Sequence, residues 1–242
     1  MSKFLFAMKH ITSLTTLTLV AASGFAQAAA PQSSFTTTAN VAIASDYVYR
    51  GVSQTDNSFA VQGGFDVSHT SGLSAGVWAS SVDGPAVGTA SSEVDAYAGL
   101  SLSLSKDITA SLGYIQYLYE KNNSLNTGEV NVALSGYGLT AKASFAVSDY
   151  FGVADSEGTA YYDLSYTYAI EQLNKLALTL HYGWTDGHGA QVSYQDYSVG
   201  LALPLDSYTV GVTWTTCNNQ GKTAFTDKLA GSTTSVSLKK TF

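Results

Sequence analysis

The sequence predicts an all-β protein: a transmembrane antiparallel up-and-down β-barrel of about twelve strands. Apolar and polar residues alternate through successive segments of about ten residues, and long and short connections take turns between these segments. Charged residues make up only 12% of the chain, against about 25% in an average soluble domain. After the first thirty residues, no apolar run approaches the roughly eighteen residues of a transmembrane helix.

The first 28 residues are predicted to be a cleaved secretory signal peptide, which leaves residues 29–242 as one barrel domain. Lys3 and Lys9 give a positive start, residues 11–22 form a short apolar core, and Ala26-Gln27-Ala28 offers a small-x-small cleavage pattern. The exported chain keeps 18 acidic residues and 9 of the 11 basic ones. This acidic balance argues against nucleic acid as a partner, and export of a barrel indicates the bacterial outer membrane and its lipids.

The strands can be assigned in order from the alternation. The first is expected over 37–50, with Val41, Ile43, Tyr47 and Tyr49 facing lipid. The other eleven are expected over 59–69, 73–82, 93–104, 108–119, 129–135, 139–148, 161–168, 175–184, 196–203, 208–214 and 235–242. The pattern weakens over 115–119, which is apolar on both faces.

Twelve is an even number, as closure of a bacterial barrel with both chain ends on one side requires. An aromatic belt is expected at the long-loop ends of the strands, formed by Tyr47, Tyr49, Tyr182, Trp184 and Trp214. The terminal Phe242 resembles the signal that outer-membrane assembly machinery recognises, although Lys240 stands where an apolar residue is more usual.

Three segments resemble the opening of the TorF-family porins of proteobacteria: S-D-Y-V-Y-R-G-V-S-Q-T-D-N, V-Q-G-G-F-D and S-G-L-S-A-G-V-W-A-S. They cover residues 44–83, where Phe59 replaces a usual proline and Ser81 a usual asparagine. The resemblance implies an outer-membrane barrel and a pore, and it carries over no catalytic residue.

A twelve-stranded barrel has a diameter of roughly 25 Å and a lumen of about 15 Å if no loop folds in. The sequence therefore predicts a porin-like channel for passive diffusion of small hydrophilic solutes. The expected pore-lining residues are Asp46, Arg50, Gln62, Asp66, Trp78, Glu93, Asp95, Tyr97, Lys142, Asp163, His181 and Asp196. Inward acids outnumber inward bases, which favours a mild cation preference unless these charges only pair across the wall.

Two other functions stay open: an electrically closed structural barrel, or a lipid-modifying barrel enzyme. The enzyme is disfavoured because His69, His181 and His188 show no outward pairing with a serine, and no cofactor or metal-ligand spacing is present. Arg50 either bridges an inward carboxylate or contributes to a constriction. Cys217 is the only cysteine, so an internal disulfide is impossible. Homo-oligomerisation is left open.

Overall fold

The computed structural model describes residues 34–242, which contain fourteen strands, one α-helix and two three-residue 3-10 helices, Asn123–Leu125 and Glu171–Leu173. The elements are β1 (Phe35–Ala44), β2 (Val48–Tyr49), β3 (Val52–Ser53), β4 (Ala60–His69), β5 (Leu73–Ser81), β6 (Ser92–Ser103), β7 (Ile108–Tyr119), β8 (Thr127–Gly136), β9 (Leu139–Ala146), β10 (Ala160–Ile170), β11 (Leu176–Asp186), β12 (Tyr194–Leu205), β13 (Tyr208–Cys217), α1 (Asn219–Ala230) and β14 (Thr233–Thr241). The predicted signal peptide and its cleavage site lie outside the described residues.

Twelve of these strands form one closed antiparallel barrel, in which each strand pairs with its neighbours along the chain. Closure is made by β1, which pairs with both β4 and β14, so that Ala42 lies opposite Gln62 on one side and Lys239 on the other. Lipid offers no hydrogen-bond partner for the backbone of an unpaired edge strand, and a closed wall has no such strand. The predicted up-and-down barrel is confirmed.

The outside of the wall is apolar and the inside is polar. In β5, for example, Leu73 and Val77 are exposed, whereas Ser74 and Trp78 face inward. The same alternation continues around the barrel and gives a belt of exposed large apolar side chains. A monomeric soluble protein rarely exposes so large an apolar surface. The barrel is a transmembrane one.

The first strand is shorter than the alternation predicts. It ends at Ala44 instead of reaching Arg50, because the chain turns into the barrel at that point. Tyr47 and Tyr49, predicted for the lipid-facing aromatic belt, are therefore inside the barrel, and that part of the prediction is wrong. The three other belt residues are 37–40% exposed on the outside: Tyr182, Trp184 and Trp214.

The connection between β13 and β14, for which the sequence predicts no regular element, contains the helix α1. Asn218 caps this helix by accepting a hydrogen bond from the Gly221 backbone N–H at 3.1 Å. The helix is interrupted at Thr226, where φ is 69°. Within residues 34–242, no helix is both long and apolar enough to cross a bilayer.

The three tryptophans allow the orientation of the wall to be tested. Trp184 and Trp214 lie on the outside, whereas Trp78 faces inward and packs edge-on against Tyr47 at 5.4 Å between ring centroids. In vesicles of brominated lipid, Trp78→Phe should keep strong fluorescence quenching, because both outward tryptophans remain. The double variant Trp184→Phe/Trp214→Phe should lose most of it. Equal quenching in the two variants would contradict the assignment.

Candidate functional site

A segment between β1 and β4 folds into the barrel instead of extending away from it. This inward hairpin, residues 45–59, is built from β2 and β3, which pair with each other and not with the wall. Its tip is formed by Arg50 and Gly51, whose φ angles are 46° and 80°. Two successive positive φ values are typical of the two-residue turns that close β-hairpins.

The base of the inward hairpin is tied together by hydroxyl groups around Asp46. Its Oδ1 accepts hydrogen bonds from Ser53 Oγ at 2.6 Å and from Thr55 Oγ1 at 3.0 Å. The same threonine oxygen accepts the backbone N–H of Tyr47 at 3.1 Å. Burial raises the pKa of the Asp46 carboxyl, and the two hydroxyl hydrogen bonds oppose that shift. The segment is thus held in a defined conformation by its own hydrogen bonds.

The side chain of Arg50 is buried in a pocket of the wall. Its Nη1 and Nη2 donate to the two carboxylate oxygens of Glu129 at 2.8 Å and 2.7 Å, and Nη1 also donates to the Tyr150 hydroxyl at 2.8 Å. The guanidinium carbon lies 4.1 Å from the ring centroid of Tyr161 and 4.8 Å from that of Tyr49. A bidentate carboxylate and two aromatic rings are the partners that a guanidinium binds best.

The backbone of the same tip contacts the other side of the lumen. The Tyr194 hydroxyl, on β12, donates to the Arg50 carbonyl at 3.1 Å, and Cys217 Sγ, at the end of β13, donates to the Gly51 carbonyl at 3.3 Å. In the strand order of the barrel, β13 is almost opposite β8, which carries Glu129. The inward hairpin therefore spans the lumen from wall to wall.

Helix α1 covers the hairpin from the long-loop end. Lys228 Nζ lies 2.6 Å from Asp56 Oδ2, and the Asn57 side chain donates to the Lys228 carbonyl at 2.9 Å. Beneath these polar contacts, Leu229 packs in an apolar cluster with Val52. An exposed ion pair adds little stability alone, so the apolar contact is expected to contribute more to holding the hairpin down.

A second contact between hairpin and wall lies at β6. The Tyr47 hydroxyl donates to Glu93 Oε1 at 3.1 Å, next to the inward-facing Trp78. Asp95, two residues further on, is fully buried, and neither of its carboxylate oxygens has a hydrogen-bond donor within residues 34–242. These predicted pore-lining residues do face inward. In the described state, however, Tyr47 of the hairpin covers Glu93, and both Glu93 and Asp95 are buried.

Another predicted group clusters on three adjacent strands. His181 lies between two carboxylates, with Nδ1 3.0 Å from Asp163 Oδ2 and Nε2 2.9 Å from Asp196 Oδ1. The Tyr161 hydroxyl also donates to Asp196 Oδ2, at 3.1 Å. Here the inward charges pair with one another along the wall, as the alternative interpretation of the sequence allowed.

Four other predicted lining residues are less buried: Gln62, Asp66, Tyr97 and Lys142 face inward and are partly exposed. The Tyr97 hydroxyl donates to Asp66 Oδ1 at 2.6 Å, and Lys142 lies opposite Asp163 in the register of β9 and β10. The contacts of the hairpin lie in the long-loop half of the barrel, because their partners are at the long-loop ends of the strands: Glu93, Glu129, Tyr194 and Cys217.

Several residues of this site were not among the predicted lining residues. Tyr150, Tyr194 and Cys217 contact the hairpin tip only through the tertiary fold. One signal was present in the sequence, because residues 115–119 are apolar on their inward face as well. Tyr117 and Tyr119 in that stretch are buried in the apolar cluster that surrounds the hairpin. Apolar inward positions thus marked the part of the lumen that is filled.

Within residues 34–242, no group of three or more His, Cys, Asp and Glu side chains is arranged to hold a metal ion. His69 Nδ1 lies 2.8 Å from Ser71 Oγ, but it also accepts the Ser71 backbone N–H at 3.1 Å. This is the geometry of a side chain that caps its own tight turn.

Comparison with known proteins gives a family and a fold. No curated protein matches the chain. One solved structure, described as "Unveiling the Mechanism Behind the in-meso Crystallization of Membrane Proteins", has a TM-score of 0.53 and 10% identity over 85% of this chain and 83% of that chain. A structure of OccD1 (OprD) carrying two substitutions has a TM-score of 0.40 and 11% identity over 76% of this chain and 59% of that chain.

A structure of Pseudomonas aeruginosa OprD has the same TM-score, 0.40, and 12% identity over 76% of this chain and 60% of that one. The first of these likenesses supports the barrel fold and no more. A family model described as "Bacterial protein of unknown function (Gcw_chp)" matches residues 28–242. Because that match covers the whole predicted barrel domain, the chain belongs to the Gcw_chp family of bacterial proteins.

Proposed function

We propose that the protein is a porin-like channel of the bacterial outer membrane for small hydrophilic solutes, which the inward hairpin closes in the described state. The observation that carries the proposal is the spanning contact of the hairpin tip, which joins Glu129 on β8 to Cys217 on β13 across an otherwise polar lumen. A separate, largely polar segment, and not the side chains of the wall alone, fills the space between opposite faces of the barrel.

A mild cation preference is part of the proposal. The inward carboxylates of the wall strands are Asp66, Glu93, Asp95, Glu129, Asp163 and Asp196. The inward lysines of these strands are Lys142 and Lys239, and His181 joins them if it is charged. With the hairpin removed, Arg50 no longer neutralises Glu129. An excess of carboxylates along a pore favours the passage of cations.

The hairpin can be excised without disturbing the wall, because the strands on either side of it end in register. Ala44 and Ala60 are directly paired, so residues 45–59 can be replaced by a two-residue Asn-Gly turn of the kind that closes hairpins. We expect the wild-type protein to conduct rarely in a planar bilayer. The excised protein should give stable conductance steps and a reversal potential that favours cations in a salt gradient.

A matched control shortens a loop that does not contact the hairpin. Residues 187–192 lie in the connection between β11 and β12 and are mostly exposed, and their replacement by Gly-Ser should leave the channel as closed as the wild type. An excised protein that still migrates as a folded, heat-modifiable barrel on gels but stays electrically silent would overturn the channel proposal. The electrically closed structural barrel would then be the better function.

Assembly and membership in the TorF porins extend the same proposal. Phe242 is two-thirds exposed beyond the last strand, and its backbone N–H bonds to the Ala39 carbonyl at 2.8 Å. An exposed aromatic at the end of the last strand supports recognition by the outer-membrane assembly machinery. The resemblance of residues 44–83 to TorF-family porins points to the same membrane and activity. Self-association stays open, and the lipid-modifying enzyme stays the less favoured alternative to the channel.

A further inference from the structure

Most of the pocket that holds Arg50 belongs to the wall and its outer loops, and the hairpin adds only the ring of Tyr49, 4.8 Å from the guanidinium carbon. Glu129 lies on β8, Tyr117 on β7 and Tyr161 on β10, whereas Tyr150 lies in the connection between β9 and β10. Tyr117 supports the carboxylate through a hydroxyl contact of 3.4 Å to Glu129 Oε2. The wall would therefore present this pocket even if the hairpin moved away.

The shape of the pocket fits one class of cation. Two parallel N–H···O bonds to Glu129 require a planar fork of donors, and the Tyr150 hydroxyl takes a further N–H. The ring of Tyr161, 4.1 Å from the guanidinium carbon, provides an aromatic face. An ammonium ion is a compact point charge and cannot satisfy the fork and the aromatic face equally well.

The hairpin itself gives no reason for an arginine at this position. Arg50 has a φ of 46°, a conformation that residues with long side chains rarely adopt. Hairpin turns of this kind favour asparagine, aspartate or glycine at their tip. The contacts of the guanidinium with Glu129, Tyr150 and Tyr161 explain the arginine, so its side chain occupies a site that the wall supplies.

We propose that Glu129, Tyr150 and Tyr161 form a binding site for guanidinium-bearing solutes, and that Arg50 occupies this site from within the chain. A solute with a guanidinium group then competes with Arg50 and favours release of the hairpin. This inference rests on the proposed channel function, since it names the class of solute that the channel recognises.

The test empties the site and offers it a free cation. Arg50→Ala removes the guanidinium and leaves the wall residues in place. Binding of guanidinium chloride at millimolar concentration, far below denaturing levels, is measured by calorimetry in detergent at constant ionic strength. We expect guanidinium to bind Arg50→Ala about tenfold or more tightly than ammonium, because the fork adds a charge-assisted hydrogen bond. The wild-type protein, whose site is filled, should bind neither ion measurably.

A second pair of variants separates the site from general effects on folding. Arg50→Ala/Glu129→Gln should lose guanidinium binding, since the carboxylate is gone while the cavity stays. The protein with residues 45–59 excised keeps the wall pocket and should also bind guanidinium, so the test does not depend on the folding of Arg50→Ala. Absence of guanidinium binding in both the excised and the Arg50→Ala proteins, each folded by heat-modifiability, would overturn the inference.

Failure of the guanidinium-site inference can be distinguished from failure of the channel proposal. Calorimetry in detergent requires no conduction. A barrel that does not conduct but binds guanidinium would therefore support the binding site and contradict the channel. A barrel that conducts but binds guanidinium less than twofold more tightly than ammonium would support the channel and contradict the binding site. Where both hold, addition of guanidinium or an arginine ester should reduce single-channel current in the excised protein, and it should do so less after Glu129→Gln.

Discussion

Glu129→Gln should release the inward hairpin. The substitution keeps the size of the side chain but removes the charge that pairs with Arg50, whose side chain is only 5% exposed. Loss of one partner of a buried ion pair costs about 3–5 kcal/mol. If this cost falls on the closed state alone, the population of released hairpin rises by about a hundredfold or more. Since Arg50 can reach water by leaving the lumen, we expect the hairpin to be released while the barrel wall stays folded.

Cys217 provides the measurement for this prediction. It is the only cysteine of the chain, it is 3% exposed, and its Sγ contacts the Gly51 carbonyl at the hairpin tip. Labelling of this thiol by a maleimide should be slow in the wild type and much faster in Glu129→Gln. Asp66→Asn is the matched control, because Asp66 bonds to Tyr97 in the short-turn half and not to the hairpin. Equal labelling rates in wild type and Glu129→Gln would refute the role of the Arg50–Glu129 ion pair in holding the hairpin in the lumen.

Gly51→Ala should prevent the hairpin tip from seating. Gly51 has a φ of 80°, and a Cβ added there would lie 2.6 Å from Cβ of Asp196 and against Sγ of Cys217. A separation this short forces backbone or wall to move, so the closed state loses both its turn conformation and its contact with β12 and β13. We expect single-channel openings in a planar bilayer to become frequent, approaching the behaviour of the protein without residues 45–59.

Gly158→Ala separates the two possible causes of the Gly51→Ala effect, which are the backbone cost of a left-handed alanine and the collision of its Cβ with the wall. Gly158 lies in an outer loop with a φ of 90°, but the nearest atom to an added Cβ is 3.9 Å away, on His188. It therefore carries the backbone cost of a left-handed alanine, about 1 kcal/mol, without the collision. Channel activity like that of the wild type in Gly158→Ala, with frequent openings in Gly51→Ala, would assign the effect to the packed tip. Similar channel activity in both variants would contradict that assignment.

The wall could be predicted from the sequence because each of its strands obeys a local rule. Along β6, Val94 and Ala96 face out while Glu93 and Asp95 face in, and such alternation decides orientation without knowledge of distant residues. Closure by β1 and β14 follows because lipid tolerates no strand edge. The inward direction of the charged residues followed from the same rule.

The inward hairpin could not be predicted in this way, because its own alternation is misleading. Tyr47 and Tyr49 continue the pattern of Val41 and Ile43, so the hairpin reads as the last part of a lipid-facing strand. Its true position depends on partners far away in the chain, such as Glu129 and Tyr194. A two-residue turn at Arg50-Gly51 was the local clue, together with the apolar inward face of residues 115–119.

The contacts of the hairpin also constrain the order of folding. Residue 50 bonds to residue 194, residue 51 to residue 217 and residue 56 to residue 228, which joins the first connection of the chain to its last ones. The Ser45 backbone N–H bonds to the Val236 carbonyl of the final strand at 2.9 Å. These loop closures are among the longest available to the chain and are entropically costly until the wall holds both ends together. We therefore expect the hairpin to fill the lumen only after the barrel has closed, so that a filled lumen marks a molecule whose every strand is in place.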